Sequence, residues 1–273
     1  MASEAEAGIH GDALRLLGEA RIPYVVAGAY ALRYYTGIER YTKDLDLFLA
    51  RRFVPRALLV LARAGYQTDV LARHWLAHAL KGGYVVDLIH GFGGWRAQVD
   101  QSWFDHSMAS VLHGVPVRIA PIEEMTWMKV YVGHRERFDG ADVLHLLRAG
   151  PGRFDWARFL GLFDQCWELL LSTLALFQFV YPSDRTTVPA WVTETLLARL
   201  ERETGEEPPR PPITRGTLLD RFSYLPDVEL RGYLDGRVPY AVAQGYRPED
   251  VAADRREALR MIAQGRVRPS RVA

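Results

Sequence analysis

The chain is short of cysteine, lysine, net charge and long apolar runs. Its single cysteine, Cys166, excludes an internal disulfide framework and fits a cytoplasmic protein. Set in an apolar helical stretch, that thiol reads as a buried structural group rather than a nucleophile. No uninterrupted apolar run reaches the ~20 residues a bilayer span needs, and the polar, acidic start Met1-Ala2-Ser3-Glu4-Ala5-Glu6 is unlike a signal peptide. The expectation is a cytoplasmic protein without a membrane partner. The net formal charge of +1 does not support a long nucleic-acid groove. Lys43, Lys81 and Lys129 are the only lysines; the other basic residues are arginines. One local excess stands out at residues 254–273, where Arg255, Arg256, Arg260, Arg266, Arg268 and Arg271 face only Asp254 and Glu257. Such a tail could touch RNA or another acidic partner, and reads first as a solvated end. The rest is ordinary: 273 residues, 49% hydrophobic and 25% charged, enough for one or two domains with ample core.

What is present is concentrated in Arg40-Tyr41-Thr42-Lys43-Asp44-Leu45-Asp46-Leu47-Phe48. In a strand, residues i and i+2 share a face, so Asp44 and Asp46 project together with Cα atoms roughly 7 Å apart. Like charges side by side on one face need a compensating partner, and a divalent cation is one; two carboxylates so placed can share the metals of a phosphoryl-type displacement. Asp-x-Asp also arises by chance, with Asp44 in a loop before the strand; its surroundings decide. Upstream, Ile22-Pro23-Tyr24-Val25-Val26-Ala27 reads as a strand, Gly28-Ala29 as a turn, and residues 30–35 as a short helix stopped by Gly37. Free N–H groups at a strand-to-helix turn, with the helix dipole, favour a phosphate. Downstream, Gly82-Gly83 reads as a tight turn and Tyr84-Val85-Val86-Asp87-Leu88-Ile89 as a strand. Asp87, flanked by apolar residues, needs a hydrogen-bond partner, a cation or a proton. If the two strands are neighbours, three carboxylates face one cleft.

With Gly28-Ala29, Arg40-x-Thr42-x-Asp44-Leu45-Asp46 and Asp87, the chain resembles the nucleotidyltransferases of the DNA polymerase beta superfamily. It is most similar to small bacterial members of the type IV abortive-infection toxin (AbiEii-like) group. The likeness covers about residues 8–150 and includes a helical segment from Ile122 through Lys129 to Arg135, Asp139 and Asp142. The resemblance implies an α+β nucleotidyltransferase fold, a short mixed sheet flanked by helices; the residue pattern after 150 adds a mainly helical C-terminal domain. It implies transfer of a nucleoside monophosphate from an NTP to a hydroxyl, with release of pyrophosphate. Asp44 and Asp46 would hold two Mg²⁺ ions, Asp87 would complete the second and serve as base, and Gly28 and Ala29 would cradle phosphates. Three aspartates without cysteine suit Mg²⁺. The implied acceptor is a small molecule, a tRNA end or a protein side chain. The superfamily usually has Gly-Gly or Gly-Ser at the phosphate turn; Ala29 removes a hydroxyl. That departure keeps a second implication open: a degenerate fold acting as a binding or regulatory protein, such as a toxin–antitoxin component.

Lys129 has two readings of equal weight, a phosphate contact as in the resembling group or a solvated helix-face lysine. Arg40 and Thr42 have three: ordering the metal loop, binding phosphate, or capping the strand. His74-Trp75-Leu76-Ala77-His78 sets two histidines at i and i+4 of a helix, or in a strand; with no Glu between them as metalloproteases require, they read as surface or acceptor-cleft residues. Gly91-Phe92-Gly93-Gly94 lacks the Gly-Lys-Ser/Thr of a P-loop and reads as a flexible loop.

The remaining pattern predicts helices over 9–20 and 54–64, a hairpin turning at His113-Gly114, and a helix capped by Asp139 that ends before Gly150. Beyond Pro151-Gly152 it predicts a long helix over 155–180, another over 188–202, and a proline-rich loop at 206–212. The expected domains are residues 8–150 and 151–273.

Overall fold

The computed structural model describes residues 4–40 and 42–266. Tyr41 of the motif, the first three residues and the tail arginines Arg268 and Arg271 lie outside the described residues. The chain forms two compact units, one of residues 1–91, 98–127 and 142–162, the other of residues 92–97, 128–141 and 163–273.

In the first unit a mixed sheet is built from β1 (Val25–Val26), β2 (Asp44–Phe48), β3 (Gln67–Ala72), β4 (Leu76–Lys81), β5 (Tyr84–Ile89), β6 (Met108–Leu112) and β7 (Val115–Ile119). The spatial order is β3-β4-β5-β2-β1-β7-β6. β2 runs parallel to β5, β1 parallel to β7, and the other pairs are antiparallel. Strand parity sorts the side chains: Leu45 and Leu47 of β2, and Val86 and Leu88 of β5, are completely buried, while Asp44, Asp46 and Asp87 point the other way. Two helices, α1 (Glu4–Glu19) and α3 (Val54–Arg63), pack together against the sheet. α1 buries His10, Ala13, Leu14 and Leu17, and α3 buries Val54, Ala57 and Leu61, the i, i+3, i+4 stripes of amphipathic helices. Between β1 and β2 lies α2 (Gly28–Thr36), which Gly37 ends in the left-handed conformation with its N–H donating to the carbonyl of Arg33.

The predicted hairpin is β6–β7, turning at His113 and Gly114, both at positive φ. The helix after Asp139 runs Gly140–Arg148. The predicted helix over 155–180 is interrupted. It consists of Trp156–Leu162, a 3₁₀ turn Asp164–Cys166, and Trp167–Val180. The apolar pattern runs unbroken through the junction, but Cys166 leaves helical backbone (φ −140, ψ 38), with its buried thiol 3.3 Å from the Tyr240 hydroxyl. The second unit is mainly helical and includes Ala190–Thr204 and Pro248–Ala263. Its core contains Trp95, Ala241 and Val251. Arg237, fully buried, is neutralised by Asp235 at 2.8 Å and Asp254 at 2.6 Å. Arginines of the basic tail are paired as well, Arg255 with Glu229 at 2.9 Å and Arg260 with Glu257 at 2.6 Å. Among the described residues, no single helix is long and apolar enough to cross a membrane.

Just after β5, His90 is buried, and its Nδ1 has no hydrogen-bond partner among the described residues. Burial, then the charge of Arg51, pushes its pKa down from 6.5 to about 4. Above pH 6.5 the ring is neutral in both folded and unfolded chains. As pH falls from 6.5 to 4 the unfolded chain takes a proton the folded chain refuses, and stability drops. The expected loss is about 3 kcal/mol. The difference between wild type and His90→Gln, each unfolded thermally at pH 7.5 and pH 4.5, measures it, the variant losing less stability on acidification.

Candidate active site

Register decides the geometry of the carboxylates. Asp46 of β2 lies directly opposite Asp87 of β5, and Asp44 opposite Val85. All three therefore project from one face of two adjacent strands. Burial first, then the neighbouring Asp44 charge, pushes the pKa of Asp87 from 3.8 up to about 6. The carboxylates share the face without closing on one point; among the described residues, no three His, Cys, Asp or Glu side chains are gathered tightly enough to enclose a metal ion. The donor set itself fits a hard divalent cation, being all carboxylate oxygen, raised in free energy by its own repulsion, with a half-protonated member near pH 6.

The turn at Gly28 is built against this face. The N–H of Ala27 donates to the Asp46 carbonyl at 2.9 Å, the last rung between β1 and β2. Gly28 then takes φ +57. A Cβ there would lie 1.7 Å from Asp46 Oδ2 and 2.6 Å from Asp46 Cγ. Glycine is required twice over, for its left-handed backbone and because the carboxylate of Asp46 occupies the space of a side chain. No side chain caps the start of α2. The first turn thus leaves backbone donors at Gly28 and Ala29 beside three carboxylates, an arrangement that suits an anion bridged by a cation.

Thr42 orders the entry to β2: its hydroxyl accepts from the Asp44 N–H and lies 3.1 Å from the Asp44 carbonyl. The Arg40 guanidinium pairs with Asp142, which is buried. Lys129 is buried in the second unit, where its ammonium bonds Asp139 at 2.7 Å. Burial alone would raise Asp139; hydrogen bonds from Arg137 and Lys129 hold it below the ordinary carboxylate range instead.

His78, read from sequence as a surface or cleft residue, lies opposite Asp87 on β4, and Asp69 of β3 lies opposite His78. Asp69, His78, Asp87 and Asp46 form one cross-strand row. His74 falls in the turn before β4, so the two histidines share neither a helix nor a strand.

No protein-family model matches this chain, and no curated protein matches it. Solved structures similar to it include the antibiotic-resistance factor ANT(2'')-Ia, at 16% identity over 75% of this chain and 95% of that one, with TM-score 0.41. The lincosamide antibiotic adenylyltransferase LnuA is 13% identical over 53% of this chain and 96% of its own, with TM-score 0.37. An antigenic nucleotidyltransferase-like protein from Paracoccidioides brasiliensis is 18% identical over 68% of this chain and 93% of its own, with TM-score 0.44. All three are distant.

Proposed function

We propose that this chain is a Mg²⁺-dependent nucleotidyltransferase that moves a nucleoside monophosphate from an NTP to a hydroxyl acceptor and releases pyrophosphate. One observation carries the reading: Asp44, Asp46 and Asp87 share a sheet face directly beside the uncapped helix turn at Gly28. Asp44, Asp46 and Asp87 would hold the metal, which when bound supplies charge neutralisation for the phosphates and the leaving pyrophosphate. The N–H groups of Gly28 and Ala29 donate to the β and γ phosphates. Asp87 takes the acceptor hydroxyl's proton on a carboxylate oxygen; its pKa of about 6 leaves it ionised at neutral pH yet basic enough for the task. The acceptor oxygen then bonds the α-phosphorus as the bond to pyrophosphate breaks. The balanced net charge favours a small molecule, a tRNA end or a protein side chain over long nucleic acid as acceptor.

The second reading, a degenerate nucleotidyltransferase-fold binding or regulatory protein such as a toxin–antitoxin component, draws on Ala29, which brings no hydroxyl to the turn. One experiment separates the two. Wild type and Asp46→Asn are incubated with Mg²⁺, α-labelled NTPs and a cell extract as acceptor pool. Label transfer and pyrophosphate release are expected from wild type and reduced ~10²–10³-fold in the variant. Wild type that binds NTP without transferring it supports the second reading, and equal behaviour of the two proteins contradicts the first.

A further inference from the structure

Beneath the first turn of α2 lies a polar network that takes no part in the chemistry above. The Tyr30 hydroxyl is its hub, 3.1 Å from Glu6 Oε1, 3.2 Å from His10 Nδ1 and 3.2 Å from His113 Nε2. Glu6 and His10 are buried side chains of α1, Tyr30 stands on α2, and His113 sits in the β6–β7 turn. A hydroxyl has one proton to give. A carboxylate only accepts, so Tyr30 donates to Glu6, and its oxygen accepts from both imidazoles. His10 therefore carries its proton on Nδ1. Its other nitrogen, Nε2, is buried with no hydrogen-bond partner among the described residues, and the backbone carbonyls of Val85 and Lys43 face the ring. Those carbonyls are acceptors, so neutral Nε2 has nothing to bond and protonated Nε2 does.

The network touches the candidate site from two sides. Tyr30 is two residues beyond Gly28, whose Cα abuts the Asp46 carboxylate. Val85 and Lys43 are joined by an N–H to carbonyl bond of 3.1 Å where β5 and β2 begin, and Asp44 follows Lys43 directly. The charged or titratable groups facing the network are Glu6 on α1, Arg33 on α2, Tyr84 on β5 and His113 in the turn.

We propose that Glu6, His10, Tyr30 and His113 form a proton-dependent clamp that seats the Gly28 turn against the carboxylate strands, with His10 as its positioning residue. Burial lowers the pKa of His10, outweighing the Glu6 charge and the Val85 and Lys43 carbonyls that favour its proton, and it lowers that of His113 against the Glu6 charge. The packed network thus holds neutral imidazoles. By linkage, a proton on His10 favours the loosened arrangement, so acid unseats the turn. The purpose of the clamp rests on the nucleotide-site reading, but its test does not require nucleotide.

The test uses Asp87→Asn protein, so that Asp87 does not titrate, and follows by NMR the Gly28 and Ala29 amides and the His10 ring from pH 8 to pH 5. The amides are expected to move with the same midpoint as the His10 ring, below its ordinary 6.5, and to stop doing so when His10→Asn is added. Should that double variant not fold, Asp87→Asn with Tyr30→Phe removes only the hub hydroxyl; there His10 still titrates and the amides no longer follow it. Amides that stay still in the Asp87→Asn protein, or that move unchanged in either double variant, overturn the clamp. A second arm measures Mg·ATP affinity at pH 7.5, where Tyr30→Phe is expected to weaken binding about fivefold. Wild type that binds no ATP while its amides follow His10 sinks the nucleotide reading and leaves the clamp standing.

Discussion

Replacing Gly28 by alanine is expected to reduce the proposed nucleotidyl transfer by ~10²-fold or more while leaving a folded protein. The added methyl meets two obstacles. The backbone at φ +57 costs a non-glycine residue about 1 kcal/mol. The new Cβ also falls 1.7 Å from Asp46 Oδ2, with Asp46 Cβ itself only 3.0 Å away. Rotating the carboxylate aside relieves the collision, so the total loss of stability is expected to be only about 1–3 kcal/mol. The functional loss is larger because relief moves Asp46, the residue between Asp44 and Asp87 on the shared face. Denaturant unfolding and label transfer, measured on the same preparation, separate the two effects. A variant with full activity would show that the Asp46 position is not needed.

Asp87→Asn is expected to move stability and activity in opposite directions. The folded protein raises Asp87 from 3.8 to about 6 through burial and the Asp44 charge. Below pH 3.8 the carboxyl is protonated in both states and costs nothing. As pH rises from 3.8 to 6 the unfolded chain ionises freely and the folded chain does not, so stability is lost; above 6 the penalty is constant. The shift corresponds to about 3 kcal/mol, discounted to about 2 because the side chain is only partly buried. Asparagine removes the charge, so the variant is expected to be more stable than wild type at pH 7.5 and level with it below pH 4. Transfer is expected to fall by ~10²–10⁴-fold with the proton acceptor gone. Thermal scans across pH read the first effect and label transfer the second. A variant less stable at every pH would show that the carboxylate is satisfied in the fold without a cation.

Much of the site was legible in the sequence because strand parity and register are short-range rules. Asp44 and Asp46 share a face because they are two apart, and Leu45 and Leu47 bury the opposite face. The Gly82-Gly83 turn pairs Lys81 with Tyr84, and counting three residues each way sets His78 against Asp87. That pairing follows from the turn alone, whereas the i, i+4 spacing of His74 and His78 points to a shared helix face that the fold does not contain. The pairing of Asp46 with Asp87 was less accessible, since it joins parallel strands separated by a long crossover. In the sequence Gly28 marks a strand-to-helix turn that favours a phosphate; its contact with Asp46 depends on how β1 meets β2, which no local pattern states. The break at Cys166 was hidden for the opposite reason: Phe159, Leu162, Phe163, Cys166, Leu169 and Leu170 keep helical spacing straight through it, so periodicity carries no mark of where the helix stops. The Glu6–His10–Tyr30–His113 network joins segments more than a hundred residues apart in the chain, and no spacing rule connects them.

The most direct test of the carboxylate site is calorimetric titration of Mg²⁺ with a non-hydrolysable ATP analogue. It is run at pH 6 and pH 8 in two buffers of different ionisation enthalpy, for wild type and Asp46→Asn. Metal-dependent binding is expected in wild type, with release of about half a proton at pH 6 as Asp87 gives up its share, and almost none at pH 8. Binding in Asp46→Asn is expected to be weakened at least tenfold. Nucleotide binding that ignores Mg²⁺, or that Asp46→Asn leaves unchanged, would contradict a metal–nucleotide site on this face.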